Sequence, residues 1–148
     1  MALGPLTYKT PNAINLIDRD LTAYEGCGVT LTSEHRVDLA TAQTEVPYGV
    51  VVVGAPSVDG LYPSSTPTAG AGFVAAGALE LVDAYGAVVQ CLAGTGGVTA
   101  NAPIAIEAST GRFVTTGIAT GDWVWGFALT DANAGEQFLA KFAPYVIQ

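Results

Sequence analysis

Charge is scarce in this chain, and positive charge scarcest: five of the 148 residues are Lys or Arg against thirteen Asp or Glu, a net of −8. Nucleic-acid backbones are held by clustered cations, so five scattered ones exclude DNA and RNA as expected ligands. Histidine occurs once, as His35 within the polar stretch Ser33-Glu34-His35-Arg36. A Ser-His-Asp arrangement would have to recruit that turn residue, and no Gly-x-Ser-x-Gly elbow exists to hold a nucleophile. Two cysteines, Cys27 and Cys91, do not make a disulfide scaffold, and their strand-like neighbours predict buried free thiols. No Cys/His spacing suits zinc, and Asp18-Arg19-Asp20 lacks the remaining ligands of a calcium loop. Gly94-Thr95-Gly96-Gly97 lacks the lysine and helix of a phosphate-binding loop, so it reads as a turn. Asp83 and Glu107 are the residue types of a glycosidase pair, yet nothing in the sequence brings them together. Long apolar runs are also missing: the uncharged residues 60–79 are broken by Pro, Ser, Thr and Gly, which leaves no readable membrane span or signal peptide. The expectation is a protein with no enzymatic activity, cofactor or metal, and with neither nucleic acid nor membrane as a partner.

What the chain does contain is apolar and turn-forming. Half of its residues are hydrophobic and 12% are charged, a composition that folds rather than staying disordered. A single domain accommodates this length. The mean hydropathy of +0.41 is high for a chain with so few charges to cover its surface, so part of the excess is expected in subunit contacts. Eighteen glycines together with abundant Thr and Val favour short strands and tight turns, and the class is mainly β.

Residues 1–17 carry Pro5, Pro11 and one charged side chain, Lys9, whereas residues 18–148 have a net charge of −9. Prolines deny this stretch a regular helix or a central strand. Residues 1–23 are therefore read as an extended N-terminal arm with Leu3, Leu6, Tyr8, Lys9, Ile14, Leu16 and Ile17 available for contacts, ahead of a β-rich body at 24–148. Within the body, Val29-Thr30-Leu31-Thr32 and Val37-Asp38-Leu39-Ala40 predict a hairpin across the polar turn. Residues 46–54 predict a central strand buried on both faces. Residues 55–72, with Pro56, Pro63 and Pro67, predict a long loop offering Leu61 and Tyr62 as contacts. Residues 79–92 predict a second hairpin through Asp83-Ala84-Tyr85-Gly86. The last third repeats the layout of the first, which predicts two related β modules in a small barrel- or sandwich-like body. Strict alternation places Trp123, Trp125, Phe127 and Leu129 on one face, as core or subunit interface, and Val124, Gly126 and Ala128 on the other. In the closing strand Phe138, Ala140 and Phe142 share a face, and Pro144 marks an end or an edge.

Over residues 97–144 the chain resembles phage head-decoration, or capsid cement, proteins. The likeness is carried by Val98-Thr99, Ala108-Ser109-Thr110-Gly111-Arg112-Phe113-Val114, Gly121-Asp122, Trp125-Gly126-Phe127-Ala128-Leu129 and Ala134-Gly135-Glu136. Gly28-Val29-Thr30-Leu31, Val37-Asp38-Leu39-Ala40-Thr41-Ala42 and Pro47-Tyr48-Gly49-Val50 extend it to the first half, while residues 55–72 and the arm depart from the pattern. The resemblance implies a β-rich protein on the outside of an assembled phage head, made in the host cytoplasm, commonly a homotrimer, that clamps neighbouring major capsid protein subunits without covalent chemistry. A carbohydrate- or receptor-binding β module on a virion or tail is the competing expectation.

Overall fold

In the computed structural model, residues 16–17, 19–33, 36–54 and 80–148 are described, with the backbone alone at Leu16, Ile17, Ser33 and Glu80. Ten strands make two five-stranded sheets and no helix occurs among the described residues. The first sheet holds β1 (Leu16–Ile17), β2 (Gly28–Ser33), β3 (Arg36–Leu39), β4 (Gly49–Val53) and β5 (Glu80–Val82), in the order β1-β3-β2-β4-β5. The second holds β6 (Val88–Leu92), β7 (Pro103–Ile106), β8 (Phe113–Val114), β9 (Trp123–Ala128) and β10 (Gln137–Val146), in the order β6-β10-β9-β7-β8. All pairings are antiparallel except β1 with β3.

Packing of the two sheets face to face follows from where the apolar residues fall. The larger core joins Ala40 and Val50 of the first half to Val89, Cys91, Ile104, Ile106, Phe113, Trp125, Phe138, Ala140 and Phe142 of the second. Its centre is aromatic, with the Phe113 and Trp125 rings edge to face at 5.5 Å and Trp125 and Phe142 at 6.3 Å. A smaller core lies on the opposite face of the first sheet, where Val29, Val37, Leu39, Val51 and Leu81 meet Leu21 and Cys27. Val50 belongs to one core and Val51 to the other, so β4 is buried on both faces there, as its β-branched run predicts. That double burial ends at Val52 and Val53, which are exposed.

The first predicted hairpin forms, with Val29 opposite Leu39 and Leu31 opposite Val37; its tip at Glu34 and His35 lies outside the described residues. The second does not form. Asp83 to Gly86 does turn the chain, with Ala87 N–H bonded to Ala84 C=O, but β5 pairs with β4 and β6 with β10, so this turn carries the chain from one sheet to the other. Local turn chemistry specified the bend, and the two apolar faces decided which partners the strands took. The halves of the chain do form the two sheets, but their strand orders differ, so equivalence of layout stops at that level.

The body also reaches further back than Tyr24. Leu16 and Ile17 pair with Arg36 and Val37, Leu21 is fully buried, and Arg19 forms a two-pronged ion pair with Asp38. The second prong, from Nη2 to Oδ2, spans 3.0 Å. Pro144 sits within β10 rather than ending it. The ladder slips between Phe142 and Tyr145, and β6 reaches no further than Val88, opposite Lys141, so no neighbour on that side requires an N–H from Pro144.

The close approach of the sheets depends on Gly28: a Cβ there would stand 2.7 Å from both Ile106 Cδ1 and Trp125 Cη2. Gly28→Ala is expected to destabilise the fold by about 1–3 kcal/mol through overpacking, read as a lower urea midpoint with an unchanged slope; a midpoint equal to the native one would show that the interface can yield.

Candidate interaction surface

The expected site residues separate into three groups. Leu3, Leu6, Tyr8, Lys9, Ile14, Leu61 and Tyr62 lie outside the described residues. Leu16 is placed at the sheet edge in β1. Trp123, Trp125 and Phe127 all lie in β9, yet they do not share one environment: Trp125 is fully buried, Trp123 is partly buried against the larger core, and Phe127 is 38% exposed.

Gly126 causes the difference. Trp125 and Ala128 both enter the core although they are three residues apart, so strict alternation is broken between them. Gly126 has φ +151°, and a Cβ there would lie 1.8 Å from the Lys141 carbonyl oxygen, which only glycine avoids. Beyond this slip Phe127 and Leu129 turn outward, and the single face expected for the four bulky residues divides into an inner and an outer part.

On that outer face the ladder registers build a continuous strip. Val88, Lys141, Phe127 and Pro103 stand in one row across β6, β10, β9 and β7. Gln90 and Leu139 form the next, and Leu129 N–H donates to Leu139 C=O at 2.7 Å. Val88, Leu129 and Leu139 are exposed alongside Phe127, with Lys141 the one cation among them. Four apolar side chains on adjacent strands make a patch rather than isolated exposures.

Several polar groups elsewhere among the described residues are engaged by neighbours. Glu107 accepts from Thr95 N–H at 2.6 Å and from the Thr110 hydroxyl at 2.8 Å, so the glycine turn is occupied by the chain's own carboxylate. Glu107 has no contact with Asp83 among its hydrogen bonds. Burial acts to raise its pKa, but the hydrogen bonds from Thr95 and Thr110 and the nearby Arg112 prevail and hold it below the ordinary glutamate value. Arg19 is committed to Asp38, and Asp20 accepts from both the N–H and the hydroxyl of Thr22. No group of three metal-ligating side chains occurs among the described residues. Cys27 and Cys91 are free, buried thiols; desolvation pushes Cys27 up to about 11 and Cys91 higher still.

No protein-family model matches the chain, and no curated protein matches it. Among solved structures it is similar to the head fiber gp8.5 N base of bacteriophage phi29, with a TM-score of 0.53 at 16% identity, over 87% of this chain and 90% of that one. The likeness extends across both sheets and shows the fold.

Trp125→Ala is expected to cost about 3–5 kcal/mol in chemical denaturation, as for other buried aromatics, and Phe127→Ala less than about 1 kcal/mol; equal losses would place Phe127 in the core. Because the Glu107 carboxylate is favoured in the folded state, Glu107→Gln should destabilise at neutral pH by about 0.5–1 kcal/mol, a small effect because solvent screens the group. That difference should disappear as pH falls through the lowered folded pKa, where native Glu107 also becomes protonated. A difference independent of pH from 7 down to 3 would disprove the assignment.

Proposed function

We propose that the chain is a structural component of a phage virion that sits on the outside of the head and holds neighbouring major capsid subunits together without covalent chemistry. The observation that carries this reading is the fold likeness to a phage head-fibre base over nearly the whole of both chains. The outer strip of the second sheet supports it: Phe127, Leu129, Leu139 and Val88 offer an apolar face with one cation, Lys141, for docking on a protein shell. A ligand that binds only the assembled lattice stabilises it by mass action, so the protein acts as binder rather than enzyme and needs no cofactor. Three copies in a cyclic trimer would multiply a modest contact by avidity and cover the apolar surplus at their mutual interfaces. An acidic body, net −9 over residues 18–148, disfavours adsorption to packaged or released nucleic acid.

The test is co-sedimentation with assembled heads. Saturable binding is expected, and Phe127→Asp with Leu139→Asp should weaken it at least tenfold without lowering the unfolding midpoint, since both side chains are exposed. Absence of head binding together with saturable glycan binding would establish the carbohydrate-binding module instead. Head binding that survives both substitutions would move the contact away from the strip.

A further inference from the structure

The two sheets leave a seam open between β6 and the β4–β5 edge. A groove of about 280 Å³ lies there, with Val52 and Val82 on one side, Val88 and Gln90 on the other, and Glu25 and Gly26 at one end. Its β6 wall is a strand edge with backbone groups that no hydrogen bond engages among the described residues. Phe142 N–H bonds Ala87 C=O, which sets the alternation of the ladder. Val88, Gln90 and Leu92 therefore direct their N–H and C=O groups away from β10. Leu92 N–H is satisfied from that side by Gly26 C=O at 2.9 Å, and Gly26 N–H bonds Val51 C=O at 2.8 Å. The turn residue Gly26 thus already bridges β6 and β4 through its two backbone groups. Among the described residues no hydrogen bond continues that pattern along the outward side of Val88 and Gln90. The chemistry that completes such an edge is an extended peptide with apolar side chains toward the valines and a cation near Glu25.

One stretch of this chain has that composition. Leu6-Thr7-Tyr8-Lys9-Thr10 lies between Pro5 and Pro11, alternates a large apolar residue with a polar one, and contains the one charged side chain of residues 1–17. Reach decides whose groove it fills. From Thr10 to Leu16 the chain spans at most about 20–22 Å. β1 and β5 occupy opposite edges of their sheet, four strand spacings or about 19 Å apart, and β6 lies in the other sheet, about 10 Å beyond. The direct line through the body consumes the whole length, and a path around it exceeds it.

We propose that residues 6–10 of one copy add as a strand to β6 of the next copy, with Lys9 near Glu25, so that the arm links copies head to tail into a closed ring. This rests on the trimer in the proposed function, but the contact lies between copies and is tested without heads, so its failure leaves head attachment standing.

The full-length chain is compared by analytical ultracentrifugation with Lys9→Glu, with Glu25→Lys and with the variant carrying both. Each single reversal should weaken association by about fivefold per contact, or about a hundredfold over three contacts of a ring, and the double reversal should restore it. Equal association in all four, loss in the singles without recovery in the double, or a monomeric native chain would overturn the proposal. As a second measurement, Tyr8→Cys and Val88→Cys chains are mixed and oxidised with diamide; the native thiols are buried and remain out of reach. A disulfide between chains is expected. Its absence, or formation only within one chain when both cysteines are placed in the same copy, would show that the arm does not reach a neighbour's groove.

Discussion

The fold depends on how closely its two sheets approach at Gly28. With no side chain there, the Ile106 and Trp125 side chains of the second sheet lie against the backbone of the first. Trp125 then becomes the hub of an edge-to-face cluster with Phe113 and Phe142, while Phe113 also meets Phe138 at 6.4 Å. These rings come from three strands, so the core that fixes the packing of the sheets also fixes the order of the strands within the second one. Trp125 carries a cost in return: its Nε1 is buried without a partner among the described residues, a donor that a purely apolar ring would not leave unsatisfied.

A second glycine divides core from surface. At Gly126 the β9 backbone passes so close to the Lys141 carbonyl that alternation slips, and Phe127 and Leu129 emerge on the outside while Trp125 and Ala128 remain within. The exposed strip is a consequence of that slip. One backbone irregularity in a central strand therefore separates the tight core from the apolar face proposed for docking.

Several titratable groups among the described residues are engaged by their own neighbours. Arg19 with Asp38, Asp20 with Thr22, and Glu107 with Thr95 and Thr110 each satisfy local backbone or side-chain partners. The thiols are held protonated by burial, which at Cys27 outweighs the opposing effect of Arg112. What stays uncovered among the described residues is of another kind: apolar strand faces and the edge of β6. Such surfaces are of the kind that recognise other polypeptides.

The sequence by itself determined the mainly β class, the β2–β3 hairpin, the double burial of Val50 and Val51, the free cysteines and the inward face of Phe138, Ala140 and Phe142. Each follows from period-two hydrophobicity or from turn residues acting within a few positions. Tertiary structure alone decided that the turn at Asp83 to Gly86 joins two sheets instead of two paired strands, since a bend does not name its partner. It decided that Leu16, Ile17 and Leu21 belong to the body, because a short apolar stretch reads the same in an arm as in an edge strand. It also separated Phe127 from Trp125: identical spacing on a strand means a common face only while the ladder stays regular, and the contact that broke it, Gly126 against the Lys141 carbonyl, lies between residues fifteen apart in the chain.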